Sequence, residues 1–121
     1  MKFSDIGLDK NIQKGIADLG FENPTPIQYE VIPFLLSEER DLIGLAQTGT
    51  GKTAAFGLPI IQKIETKSRQ TAAIILCPTR ELCLQITKDL ESYAKYIKGL
   101  KITDVYGGAN IQTQIKALNS G

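Results

Sequence analysis

Eight consecutive residues, Ala46-Gln47-Thr48-Gly49-Thr50-Gly51-Lys52-Thr53, constrain this chain more than any other stretch. Before them lies an apolar run, Asp41 to Ala46, that reads as a short buried strand. After them a helical spacing starts near Lys52 and runs to about Ile64. A strand, a glycine-bearing turn and a helix, in that order, are the context a phosphate-binding loop requires. The glycines let the backbone curl so that successive N–H groups face one cavity. Those amides and the positive end of the following helix suit phosphate oxygens. Lys52 adds a point charge that reaches β and γ groups, and the Thr53 hydroxyl suits Mg²⁺. Lys52 and Thr53 are therefore the candidate catalytic pair, with Thr53 as the candidate metal ligand. The strict pattern opens on glycine, and here that position is Ala46. Alanine takes a left-handed backbone only at a cost, so the loop is expected to be right-handed or extended there. The competing reading is a plain Gly/Thr-rich turn ahead of Lys-Thr.

Around this loop the periodicity alternates between helix and strand, which predicts an α/β fold with a parallel β-sheet and flanking helices. Leu8, Ile12, Ile16 and Leu19 mark a first helix, stopped by Gly20. Ile27, Val31, Ile32, Leu35 and Leu36 mark a second, with Pro33 expected to bend it. Thr71 to Cys77 is the clearest strand, β-branched and ended by Pro78. Leu82, Ile86, Leu90 and Ile97 predict a long helix. Leu100 to Tyr106 predicts a third strand, broken by Gly107-Gly108. Asn110 can cap a last helix bearing Ile111, Ile115 and Leu118. The end, Asn119-Ser120-Gly121, reads as a cut rather than a finished domain.

At 121 residues the chain is expected to be one domain, since domains run about 100–200 residues. Its net charge of +1 offers no global field for a polyanion, so contact with one must come from local groups. The absence of histidine excludes His-ligated metals and a histidine general base. Cys77 and Cys83 are expected to be buried, reduced structural thiols, which suggests a cytoplasmic setting. Residues Met1 to Asp5 lack an apolar core segment, so no signal peptide is expected. The longest apolar run, Ala72 to Cys77, falls far short of the roughly 20 residues of a membrane span.

A second candidate site lies in Gly20-Phe21-Glu22-Asn23-Pro24-Thr25-Pro26-Ile27-Gln28. Thr25 and Gln28 have capping-box spacing with proline at the first helical position, which alone would explain them. The same Gln28 amide could instead read adenine, accepting from its amino group and donating to N7. Such a pair discriminates by about 1–3 kcal/mol. Phe21 would give the base a face to stack on. Further on, Arg80 is a fork-shaped donor suited to phosphate oxygens, or else part of the surface start of a helix after Pro78. Gly107-Gly108 frees amides at a helix start, or is a plain tight turn.

Taken together, these residues resemble the DEAD-box family of ATP-dependent RNA helicases over nearly the whole chain. Gly20 to Gln28 is similar to the family's Q motif, with Phe3 as the isolated upstream aromatic. Ala46 to Thr53 is similar to motif I, alanine included, Pro78-Thr79-Arg80-Glu81-Leu82 to motif Ia, and Gly107-Gly108 to the GG element. The resemblance implies a RecA-like phosphate-loop NTPase fold in which residues 1–121 are the N-terminal part of the first RecA-like domain. It implies ATP or ADP with Mg²⁺, held by Phe3, Phe21, Gln28 and the loop residues Gln47, Thr48, Gly49, Thr50, Gly51, Lys52 and Thr53. It implies RNA backbone contact by Pro78, Thr79, Arg80, Gly107 and Gly108, and a second RecA-like domain as partner.

The family's Asp-Glu-Ala-Asp, its Ser-Ala-Thr motif and its second lobe are absent from this sequence. Glu38-Glu39 follows no apolar strand, and Asp104 lies in an alternating one. An arginine finger is worth about 10³–10⁵ in rate, so this stretch is expected to bind nucleotide with little turnover. The alternatives are a nucleotide-binding module and another phosphate-loop ATPase such as a DNA translocase.

Overall fold

The computed structural model describes residues 1–121. Five helices form where the apolar spacing and the caps require them: α1 (Lys10–Ala17), α2 (Pro26–Ser37), α3 (Lys52–Lys63), α4 (Arg80–Tyr93) and α5 (Ile111–Asn119), after a single 3₁₀ turn at Phe3–Asp5. Past the end of α1, Gly20 N–H donates to Ala17 O at 3.0 Å and Phe21 N–H to Ile16 O at 3.1 Å. These two bonds make a Schellman stop, and they set where Phe21 emerges. α2 starts on the expected capping box of Thr25 and Gln28, with Pro26 in its first turn and Pro33 inside it. Thr79 caps α4 and Asn110 caps α5 through their side-chain oxygens. α4 ends at Tyr93, so Ile97 belongs to the turn beyond rather than to the helix.

The core is built from the N-terminal segment and α1 to α4: Phe3, Ile6, Leu8, Ile12, Ile16, Ile32, Ala54, Leu58, Ile61, Leu90 and Tyr93. Small residues set the helix spacing. A methyl on Gly15 would lie 2.6 Å from the carbonyl oxygen of Tyr93, and one on Gly57 would lie 2.6 Å from Cδ2 of Leu90. α1 thus meets the end of α4 backbone to backbone, and the bare backbone of α3 at Gly57 receives the Leu90 side chain. Leu19, expected on the apolar face of α1, is exposed.

The parallel sheet predicted from the sequence is not present. Residues 41–46, 71–77 and 100–106 contain no assigned strand, and no backbone hydrogen bond joins any two of them. The apolar character that suggested strands is real, but it faces outward. Ile43 is 91% exposed, Leu45 90% and Leu76 90%, while Ile75 packs on the core. A ladder needs strands about 4.8 Å apart. Here no backbone bond joins the segments, and a cleft of about 870 Å³ is lined by both residues 71–77 and residues 100–105. A run apolar on both faces is the pattern of a strand flanked by neighbours, and this chain brings none to it. Cys77 and Cys83 are free, as expected, but half-buried in the lining of this cleft rather than fully buried. Partial desolvation, with Cys83 beside it, pushes the Cys77 thiol up.

Candidate functional site

The loop ahead of α3 curls where its glycines fall. Gly49 has φ +77° and Gly51 φ +84°, and no other residue type in the chain has positive φ. Ala46 is therefore not left-handed, as its side chain requires. The loop is tied internally and from outside. Thr50 Oγ1 donates to Gln47 O at 2.6 Å, and Lys52 Nζ crosses the loop to Ala46 O at 2.8 Å. From the start of α2, Thr25 Oγ1 donates to Thr50 O at 2.8 Å and Gln28 Nε2 to Gly51 O at 3.1 Å. Gln28 Oε1 accepts from Thr25 N–H at 3.0 Å.

Gln28 therefore serves two purposes. It closes the capping box, and it latches the second candidate site onto the first. It is only 3% exposed, the one buried polar side chain in the core. Buried carboxamides need partners, and these bonds supply them. The approach is so close that a methyl on Gly51 would collide with Nε2 of Gln28. Sequence reasoning missed the Thr25–Thr50 bond, because a capping threonine gives no sign of a second partner.

Phe21 is half-buried between two rings. Phe3 lies 6.0 Å away, stacked at 28°, and Tyr93 lies 6.0 Å away, tilted at 57°. Phe3 is buried, so its contact is with Phe21 and the core. Burial pushes the Tyr93 phenol up to about 12, with Asp89 adding to it. Thr53 stands in the first turn of α3, half-buried, and the side-chain bonds at this end of the helix run through Thr50 and Lys52 rather than through its hydroxyl. Gln47, Thr48, Gly49 and Lys52 are exposed, and Thr50 and Gly51 are half-buried.

The motif Ia and GG residues also converge. Arg80 opens α4 after the Thr79 cap, and its guanidinium lies 5.6 Å from the ring centre of Tyr106. A methyl on Gly108, at φ +88°, would stand 2.7 Å from Nη2 of Arg80. Pro78 and Gly107 complete the group at the surface.

The family model described as DEAD/DEAH box helicase matches residues 25–121. The chain belongs to the DEAD/DEAH box helicase family. It is 52% identical over 117 residues to the ATP-dependent RNA helicase CshA of Listeria monocytogenes, covering 97% of this chain and 22% of that protein. The DEAD-box chain thus spans about a fifth of this curated relative's length. A crystal structure of a DEAD box protein from Methanococcus jannaschii superposes with a TM-score of 0.93 at 45% identity, over 99% of this chain and 32% of the other. The ADP-bound RNA helicase Prp28 of Chaetomium thermophilum superposes with a TM-score of 0.85 at 38% identity, over 99% of this chain and 30% of the other. The DEAD-box backbone is therefore retained across the chain even though its extended segments form no ladder.

Proposed function

We propose that this chain is the ATP-binding part of an ATP-dependent RNA helicase, and that on its own it binds ATP or ADP with little turnover. The observation that carries the proposal is the latch from Gln28 and Thr25 to the carbonyls of Gly51 and Thr50. It fixes a base-reading side chain to a phosphate-holding loop.

A carboxamide has two lone pairs on oxygen and two N–H donors. In Gln28 one of each is spent inside the protein. To reach the remaining lone pair and N–H of this buried side chain a base must displace its cover; there they match the adenine amino group and N7, and oppose guanine. Phe21, backed by Phe3, gives the base a ring to rest on. The amides of Gly49 to Thr53, at the start of α3, hold the phosphates, and Lys52 adds its charge. The Thr53 hydroxyl fits a magnesium ion as a single protein ligand beside phosphate oxygens, and no cluster of acidic, Cys or His residues offers another metal site. Magnesium there would offset phosphate charge. The Asp-Glu-Ala-Asp stretch that would orient water is absent from this sequence, so hydrolysis is expected to be negligible.

Pro78, Thr79, Arg80, Gly107 and Gly108 form the surface we assign to the RNA backbone, which such proteins contact more than base edges. A second RecA-like domain would close over both surfaces in the longer protein. The relative's own name supports ATP and RNA as partners. The free thiols suit a cytoplasmic setting, and no helix is long and apolar enough to cross a membrane. Competition between Mg·ADP and Mg·GDP for the purified chain tests this reading. Adenine should win by roughly tenfold or more, and Gln28→Glu should narrow the gap. Equal affinity for both bases, or steady ATP turnover by the 121 residues, would contradict it.

A further inference from the structure

We infer that Tyr106 is a positioning residue for Arg80, carrying its guanidinium on the ring face so that the N–H donors stand ready for a backbone phosphate. The inference rests on the reading of Arg80 as an RNA contact and adds a residue to it.

Arg80 is exposed at the start of α4, and a long side chain there has many rotamers to lose. No carboxylate restrains it. The ion pairs of the chain are Glu38–Arg40 and Asp18–Lys95, and Glu81, its neighbour in sequence, does not pair with it. Arg80 also makes no side-chain hydrogen bond: none of those found uses its guanidinium. An aromatic ring and a side-chain-free stretch of backbone flank it instead. The Tyr106 ring centre is 5.6 Å from Cζ, and the bare backbone of Gly108 leaves room for Nη2 where a methyl would stand 2.7 Å away. A cation over a ring face is attracted by the ring's quadrupole without giving up an N–H to an acceptor oxygen, so the donors stay unspent.

The seat is itself fixed. Gln114 Nε2 donates to Tyr106 O at 3.1 Å. Gln114 belongs to α5, whose first turn is closed by Asn110 Oδ1 accepting from the N–H groups of Gln112 and Thr113. Tyr106 thereby ties the side chain at the head of α4 to the frame of α5. A carboxylate partner would have spent the donors that phosphate needs, whereas a ring orders the side chain without using them.

The test is binding of the chain to a fluorescently labelled single-stranded RNA, followed by anisotropy across a salt series. Tyr106→Phe should bind within about twofold of the parent, because the face and not the hydroxyl carries the contact. Tyr106→Ala should weaken binding by about two- to fivefold. It should also reduce the salt slope, although it removes no charge, because Arg80 then makes its phosphate contact less often. A purely structural role would leave that slope alone. Tyr106→Leu, which keeps bulk without the ring, should behave as Tyr106→Ala does and serves if the alanine variant fails to fold. Arg80→Ala should weaken binding about tenfold, and adding Tyr106→Ala to it should cost nothing further. If Arg80→Ala weakens binding while Tyr106→Ala changes neither affinity nor slope, or if the two losses add in full, the positioning role is wrong and the RNA contact stands. If Arg80→Ala changes nothing, or the parent chain binds no RNA, the RNA reading falls and takes this inference with it.

Discussion

Gln28 and Gly51 show how one side chain can join two sites. The Gln28 carboxamide is buried, and its bonds run to the cap of its own helix and to the loop that precedes α3. Gly51 supplies both the left-handed turn and the missing methyl that this contact needs. Gly51→Ala is expected to cost about 1–2 kcal/mol for the backbone conformation alone. It should also dislodge Gln28 and weaken ADP binding more than tenfold. Denaturant unfolding and calorimetry on the same variant check both. Much of this site was legible in the sequence, because phosphate loops and capping boxes are local patterns whose chemistry follows from residue type and spacing. The latch was not, since Thr25 and Thr50 are far apart in sequence and neither residue type demands the other. Tyr106 reads in the sequence only as the end of a strand, because its place beside Arg80 follows from the placement of α4 and the Gly108 turn.

The helices and their caps were equally legible, because apolar spacing and capping residues act within a few positions. The sheet was not. Residues 71–77 have the composition of a strand buried on both faces, but composition cannot say whether neighbours are present. What the helices do instead is pack on one another at glycines and tie together at their ends. Near the end of α1, Asp18 accepts from Lys95 Nζ at 2.8 Å and from Tyr96 Oη, just beyond α4. The Lys95 hydrogen bond, then the Tyr96 one, hold the Asp18 carboxyl below its ordinary range, and Asp18 holds the Lys95 ammonium above its own. A carboxyl lowered in the folded state stabilises above the ordinary carboxylate range and loses that contribution as pH falls through its folded value. Lys95 loses its share only as pH rises beyond the ordinary lysine range. Thermal midpoints should therefore fall on acidification, and Asp18→Asn should flatten that acid limb. An unchanged acid limb in the variant would show that the tie between α1 and α4 is idle.

Taken as a whole, the molecule has a helical core and, outside it, exposed apolar residues with no partner. Ile43, Leu45, Ile74, Leu76 and Val105 are exposed, and so are Ile111, Ile115 and Leu118 along α5. Unpaired strand-like edges and contiguous apolar surface favour association. The 121-residue chain is expected to self-associate with rising concentration and to bind a hydrophobic dye while folded. Sedimentation at several concentrations checks this, and replacing Ile74 and Leu76 with threonine should reduce it. The loop ahead of α3 is anchored by α2 and α3, so the nucleotide grip proposed for it would not depend on the sheet. Calorimetry of the folded chain with Mg·ADP tests that grip most directly. One nucleotide should bind per chain, and Lys52→Ala should abolish binding without lowering the thermal midpoint. A folded chain that takes up no heat, or a Lys52→Ala chain that binds as the parent does, would contradict the account.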